Sequence, residues 1–181
     1  MSYPTMKRIL TTIGILIITA GAFAQNKSNI TSAKITFELK NLGIKTGGTI
    51  GGVQGNIMFD PANPGGSKIE ATADANTINT DNSMRDGHLK GEDYFNADTY
   101  PKITMSSLSF QKKGTRYVGR FNLTIKGTTK PVEVPFNYTE QGNTSNFKGS
   151  FKINRKDFGI GGNSMTMSDD VTIFIEAQAT K

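Results

Sequence analysis

The sequence predicts an all-β protein: an eight-stranded antiparallel barrel with a short helical insertion between the third and fourth strands. Three observations predict it. Apolar and polar residues alternate with a period of two through eight short runs, as half-buried strands require. The runs are separated by short turns rich in Gly, Pro and Asn, the spacing of antiparallel sandwiches and barrels. One stretch, Asn82 to Met105, abandons the alternation and gathers charges around the only histidine. A barrel is favoured over a sandwich because closure removes exposed strand edges. Eight strands also close around either packed side chains or one small ligand, and the inward faces here mix small residues with large ones.

Taken in order, Ala33, Ile35, Phe37 and Leu39 alternate with Lys34, Thr36, Glu38 and Lys40 in a first strand. Asn41 to Gly48 reads as a turn. Val53, Gly55, Ile57 and Phe59 form a second strand ending at Asp60-Pro61. After the turn Asn63-Pro64-Gly65-Gly66, Ile69, Ala71, Ala73 and Ala75 give a third strand with a small-residue inner face. Past the insertion, Ile103 and Met105 stand on one parity and Leu108 and Phe110 on the other, a phase change that marks a bulge in the fourth strand. Lys112-Lys113-Gly114 turns into the cleanest strand, with Tyr117, Gly119, Phe121, Leu123 and Ile125 inward. Val132, Val134, Phe136 and Tyr138 make the sixth, which Pro131 and Pro135 confine to an edge or a special pairing position. Phe147, Gly149, Phe151 and Ile153 make the seventh. A loop from Asn154 to Ser168 leads to the eighth, with Val171, Ile173, Ile175, Ala177 and Ala179.

Ahead of the strands, Lys7 and Arg8, an apolar run from Ile9 to Ala20 and the triplet Ala22-Phe23-Ala24 have the order of a secretory leader cleaved after residue 24. The expected mature product is one barrel domain over residues 25–181, exported to the periplasm or secreted, with no later stretch apolar enough for a stable membrane span. Its net charge falls from +6 to +4, 19 basic against 15 acidic residues. That excess is scattered, not striped, so nucleic acid is excluded as a partner. With no cysteine, disulfides, thiolate metal sites and cysteine nucleophiles are excluded. One histidine cannot supply a zinc site, so no metal and no other cofactor is expected. No G-x-S-x-G elbow accompanies Gly149-Ser150 or Asn163-Ser164, and the paired glycines from Gly47 to Gly52 lack the strand-to-helix context of a phosphate loop.

In the insertion, Asp81 or Ser83 can cap a short helix carrying Asp86 in its first turn. Met84, Leu89 and Phe95 would then point at the barrel. Arg85 and Asp86 are sequence neighbours and cannot face each other on a helix. The expected partners are Asp157 or Asp169 for Arg85, and Arg155 or a backbone amide for Asp86. With His88 these residues form either a polar network that pins a cap or the polar centre of an exported enzyme acting on a small substrate.

The small inward residues Ala71, Ala73, Ala75, Gly119 and Gly149 leave volume unless a neighbouring aromatic fills it, so pattern alone leaves a hollow and a filled barrel open. A filled barrel would serve as an interaction module. In a hollow one, ligand contacts would come from Phe37, Leu39, Val53, Ile57, Ala71, Ala73, Ile103 and Met105 on the first four strands. Gly119, Phe121, Leu123, Phe136, Phe151 and Ile173 would add contacts from the later strands, and Met84, Leu89, Phe95 and Phe158 from the insertion and the last loop.

Six segments carry a resemblance: Arg85-Asp86 with His88-Leu89, Asp93-Tyr94-Phe95, Tyr100-Pro101-Lys102-Ile103-Thr104, Leu123 to Val132, Arg155-Lys156-Asp157-Phe158-Gly159, and Ser168-Asp169-Asp170-Val171. As an ordered set spanning the mature chain, they resemble the YceI-like family of exported lipid-binding proteins. The resemblance implies an extended lipocalin-like barrel that sequesters a long isoprenoid, a polyprenyl quinone or alcohol, in its apolar interior. It implies no catalytic residue, and it leaves a homodimer open. Members often carry histidines in the first strand and before the glycine of an L-T-x-H-G segment. This chain has Lys40-Asn41 and Lys126-Gly127 there, which weakens any metal or acid–base role and leaves an apolar interior intact.

Overall fold

A computed structural model describes residues 27–180. The expected leader and its expected cleavage site lie outside the described residues. The elements are β1 (Ser28–Asn41), β2 (Ile44–Ile50), β3 (Gln54–Met58), β4 (Lys68–Asp74), α1 (Ser83–Lys90), β5 (Lys102–Lys113), β6 (Arg116–Ile125), β7 (Thr128–Gln141), β8 (Thr144–Asn154) and β9 (Asp170–Thr180). All strands pair antiparallel in the order β2-β1-β3-β4-β5-β6-β7-β8-β9, and β1 pairs with β9 to close the sheet into a barrel. Every strand from β3 onward therefore has a neighbour on both sides, and the barrel has eight staves, one of them divided between β2 and β3. Among the described residues no helix is long and apolar enough to cross a membrane.

The chain departs from expectation first at Asn41–Gly48. Only Leu42 and Gly43 turn, at φ 52° and 76°, and β2 follows at once. Glycines hide this strand in the sequence. Gly48 is there for close approach: a Cβ would run into the Asn79 carbonyl and come within 2.8 Å of the Thr80 methyl. β2 and β3 are two halves of one stave, because β1 meets both in one register, Ile35 opposite Ile50 and Ser28 opposite Ile57. The break at Gly51–Val53 is stitched to the next segment by Gly51 N–H donating to Thr77 Oγ1 (2.7 Å) and by Asp74 N–H donating to the Gly51 carbonyl (3.0 Å).

The bulge falls in β5 as expected. Ser107 faces Phe121 and Ser109 faces Arg120, which leaves Leu108 outside the ladder and half exposed while Phe110 returns inward. β7 is no edge strand, since it pairs with β6 and β8. Its ladder with β8 begins only at Phe136, so Pro131 and Pro135 lie where β7 bonds to β6 alone and the missing N–H costs no second ladder. The 3₁₀ turn Arg155–Phe158 packs against β7 and β8 where the two part, and it buries Phe158 almost completely.

The two ends of the barrel are built differently. The turns β3–β4, β5–β6 and β7–β8 gather at one end around Phe59. Its ring lies 5.0–5.6 Å from those of Phe110, Tyr117, Phe136, Tyr138 and Phe147, mostly edge to face. Such pairs each add about 0.5–1.5 kcal/mol beyond area burial. The β1–β2 turn, the α1 insertion, the β6–β7 turn and the 155–169 loop share the opposite end.

Candidate functional site: an apolar cavity inside the barrel

Between these ends runs a cavity of about 210 Å³, more than ten times the ~10–15 Å³ that admits one water. Period-two alternation explains its chemistry, since every stave turns one apolar row inward. Tyr94, Thr72, Thr104 and Arg155 are the only lining residues with polar side-chain atoms. Space exists because β4 offers Ala71 and Ala73 opposite the Ile103 and Met105 row of β5.

Of the residues expected at a ligand, Phe37, Leu39, Val53, Ile57, Ala71, Ala73, Leu89, Phe95, Ile103, Met105, Phe121, Leu123, Phe136, Phe151 and Ile173 line the cavity. Three do not. Met84 is 74% exposed, on the face of α1 turned away from the barrel. A Cβ on Gly119 would overlap the Phe121 ring and come 3.0 Å from Phe110, so neighbouring aromatics already fill its space. Phe158 is spent on the β7–β8 seam. The lining also includes residues not singled out in the sequence. Ile125, Val134, Phe147, Ile153 and Ile175 share the inward parity of those that were, so their signal was present. Ile50, Ile160 and Met167 lie in glycine-rich or loop segments where no periodicity marks them.

The insertion closes its side of the loop end. Asn82, not Asp81 or Ser83, caps α1, its Oδ1 accepting from Arg85 N–H at 3.0 Å. Both charged neighbours turn to Thr80. Asp86 Oδ1 accepts from Thr80 N–H (2.9 Å) and Oγ1–H (2.5 Å), while Arg85 donates from Nε to Thr80 Oγ1 (2.8 Å) and from its terminal nitrogen to the Thr80 carbonyl (2.6 Å). The backbone-amide partner expected for Asp86 is thus Thr80, and neither Asp157 nor Asp169 meets Arg85. Both residues lie near the start of α1, five and six positions after Thr80, so both side chains reach back past the cap to it. His88 is exposed.

Arg155 is the buried ion of the site, with a side chain 3% exposed. It donates to the carbonyls of Ser168 (3.1 Å), Ile160 (2.7 Å), Gly162 (2.7 Å) and Met167 (3.5 Å), and to Asp169 Oδ1 (2.9 Å). Every guanidinium nitrogen is therefore occupied by the protein, and the loop from Ile160 to Asp169 is wrapped around one side chain. A hydrogen bond from Lys156, reinforced by the charges of Lys156 and Arg155, holds the Asp169 carboxyl below its usual range. Among the described residues, no group of three or more His, Cys, Asp or Glu side chains is placed to hold a metal.

A profile of the YceI-like domain matches residues 25–179. The chain belongs to the YceI-like family. It is 29% identical to the UPF0312 protein YE1254 of Yersinia enterocolitica, over 94% of each chain. Among solved structures, BcnA of Burkholderia cenocepacia superposes with a TM-score of 0.78 at 28% identity, over 82% of this chain and 96% of that one. A polyisoprenoid binding domain from Saccharophagus degradans, implicated in plant cell wall breakdown, shares the fold with a TM-score of 0.65 at 14% identity, over 85% of this chain and 97% of that one. The YceI-like barrel thus joins family membership to a cavity built for apolar matter.

Proposed function

We propose that this YceI-like protein is an exported, non-enzymatic lipid binder whose barrel holds one long isoprenoid chain, a polyprenyl quinone or alcohol. The observation that carries this reading is the cavity lining: inward-facing polar side chains are almost absent, and Arg155 is saturated by its own loop. Such a site offers burial and little else, at about 25 cal/mol per Å² of apolar surface before ordering costs. Branched aliphatic and aromatic walls suit a methyl-branched chain, and the isoprenoid-binding domain that shares the fold supports that class. Arg85 and Asp86 are engaged with Thr80, which supports a structural role for them over a catalytic one.

The leader expected at residues 1–24 supports a periplasmic or secreted location. The deciding experiment is native mass spectrometry, with organic extraction, of protein purified from its own host. A co-purifying isoprenoid is the expected result. Protein that carries no lipid and takes up none from an added polyprenyl alcohol would overturn the reading.

A further inference from the structure

Three of the four most exposed large apolar side chains among the described residues sit together at the loop end: Leu42 at 73%, Ile44 at 71% and a fully exposed Met165. They belong to one surface, because the β1–β2 tip and the 155–169 loop are bonded to each other. Leu42 N–H donates to the Thr166 carbonyl (2.8 Å), Ser168 N–H donates to the Lys40 carbonyl (2.8 Å), and Asn41 bridges to Met167. That surface adjoins the cavity directly: Leu39 and Met167, two or three residues from the exposed set, line it.

Leu42 is also costly where it stands. Its φ of 52° lies in the left-handed region, which turns of this kind fill with Asn, Asp or Gly. The other non-glycine residues with positive φ among those described are Asp81, Asn96 and Lys126, all polar. A strained backbone and an exposed leucine at one position break two local rules together, and such breaks mark function.

We propose that this tip and loop form a docking surface for an anionic phospholipid bilayer. The apolar side chains would enter the interface as short wedges, in the manner of interfacial anchors. Charge points to the anionic surface. Lys40 and Lys45 flank Leu42 and Ile44, Glu38 is engaged by Lys45 at 2.6 Å, and residues 160–168 carry no charge at all. Of the two carboxylates that follow them at the base of the loop, Asp169 and Asp170, the first is engaged by Lys156 (2.7 Å) and Arg155 (2.9 Å). The acidic residues Glu92 and Asp93 lie at the far end of that loop, where Gly161 N–H donates to the Asp93 carbonyl (2.8 Å). Docking here would bring the end of the cavity against the membrane, so that a water-insoluble chain need not cross water. In its purpose, though not in its test, the inference rests on the lipid-binding reading.

The test is co-sedimentation of the mature chain with phosphatidylethanolamine–phosphatidylglycerol vesicles that contain no isoprenoid. Wild type should bind, and high salt should weaken binding. Leu42→Asn combined with Ile44→Asn and Met165→Gln should lower the partition by about tenfold or more, with an unchanged or raised melting temperature, because Asn suits the left-handed position. Leu108→Ser and Phe174→Ser on the barrel wall should bind as wild type. Ala73→Phe, which fills the cavity, should keep vesicle binding while its lipid content, read by extraction, falls. Wild type that stays in the supernatant would overturn docking and leave the lipid-binding result untouched. Equal losses from the wall variants would also overturn it, as would a dimer abolished by the triple change without any vesicle binding, which would assign the surface to a second copy of the chain.

Discussion

The two ends of the barrel are made from the same strands, and one is full while the other is hollow. At the aromatic end, Phe59 draws in five rings and even Gly119 has no spare room, its missing side chain replaced by Phe121 and Phe110. Toward the loop end, Ala71 and Ala73 leave space that no neighbour fills, and order comes from hydrogen bonds to Thr80 and Arg155. Alternation decides which side chains point inward. Their size, stave by stave, decides whether the inside is core or cavity.

That contrast is broken most severely at Phe59. Phe59→Ala should cost about 3 kcal/mol or more, since it removes the ring that the other five pack on. Chemical denaturation reads the loss, and the folded fraction should still carry lipid. Ala73→Phe is its mirror image: the added ring enters existing space, so stability should change by no more than about 1.5 kcal/mol while extraction finds the lipid load gone. Should Phe59→Ala empty the protein, or Ala73→Phe unfold it, the division of labour between the ends would fail.

Thr80 tests the hydrogen-bonded end alone. Thr80→Val keeps the shape and removes the hydroxyl that donates to Asp86 and accepts from Arg85, leaving both ions partly unsatisfied. A loss of about 1–3 kcal/mol is expected, together with faster amide exchange in α1 than in the aromatic-end strands.

How much of this was legible beforehand follows the same division. Wherever strands alternate cleanly, as in Tyr117 to Ile125, the sequence predicts both strand and facing, and the bulge between Ser107 and Ser109 announces itself as a change of parity. β2 escaped because its glycines serve contact with Asn79 and Thr80, a tertiary demand that looks locally like a turn. Gly119 was indistinguishable from Ala73 as a small inward residue, since only the fold says which one an aromatic ring covers. Apolar character alone points Met84 inward, whereas the Asn82 cap sets the helix phase that exposes it. Asp86 takes a backbone amide, one of its two expected partners, but Arg85 departs from expectation for the reverse reason: a local threonine is a weaker signal in sequence than a distant opposite charge, yet it lies within reach.

Acid should loosen the loop end before the aromatic end. Asp169 is held below the ordinary aspartate value, first by its hydrogen bond from Lys156 and then by the nearby charges of Lys156 and Arg155. A carboxyl with a lowered folded pKa binds more protons when unfolded, so its contribution is complete above the ordinary value of about 3.9 and is lost as pH falls through it toward the folded one. Hydrogen exchange of residues 160–168 should therefore rise on the acid side of that value while amides around Phe59 stay protected, and Asp169→Asn should remove most of the pH dependence. Uniform loosening of both ends would mean that Arg155 holds its loop through carbonyls alone.

The smallest effect is expected at the only histidine. His88 is exposed on α1, while its neighbours Arg85 and Asp86 turn to Thr80. His88→Ala should change stability by less than about 0.5 kcal/mol, as exposed substitutions do, and leave the lipid load as in wild type. A polar centre that acts on a small substrate would need this imidazole, so loss of a measurable turnover in His88→Ala with lipid content intact would move function from the cavity to the insertion. A variant indistinguishable from wild type in both measurements places the work of the loop end in its apolar wall and its hydrogen-bonded loops.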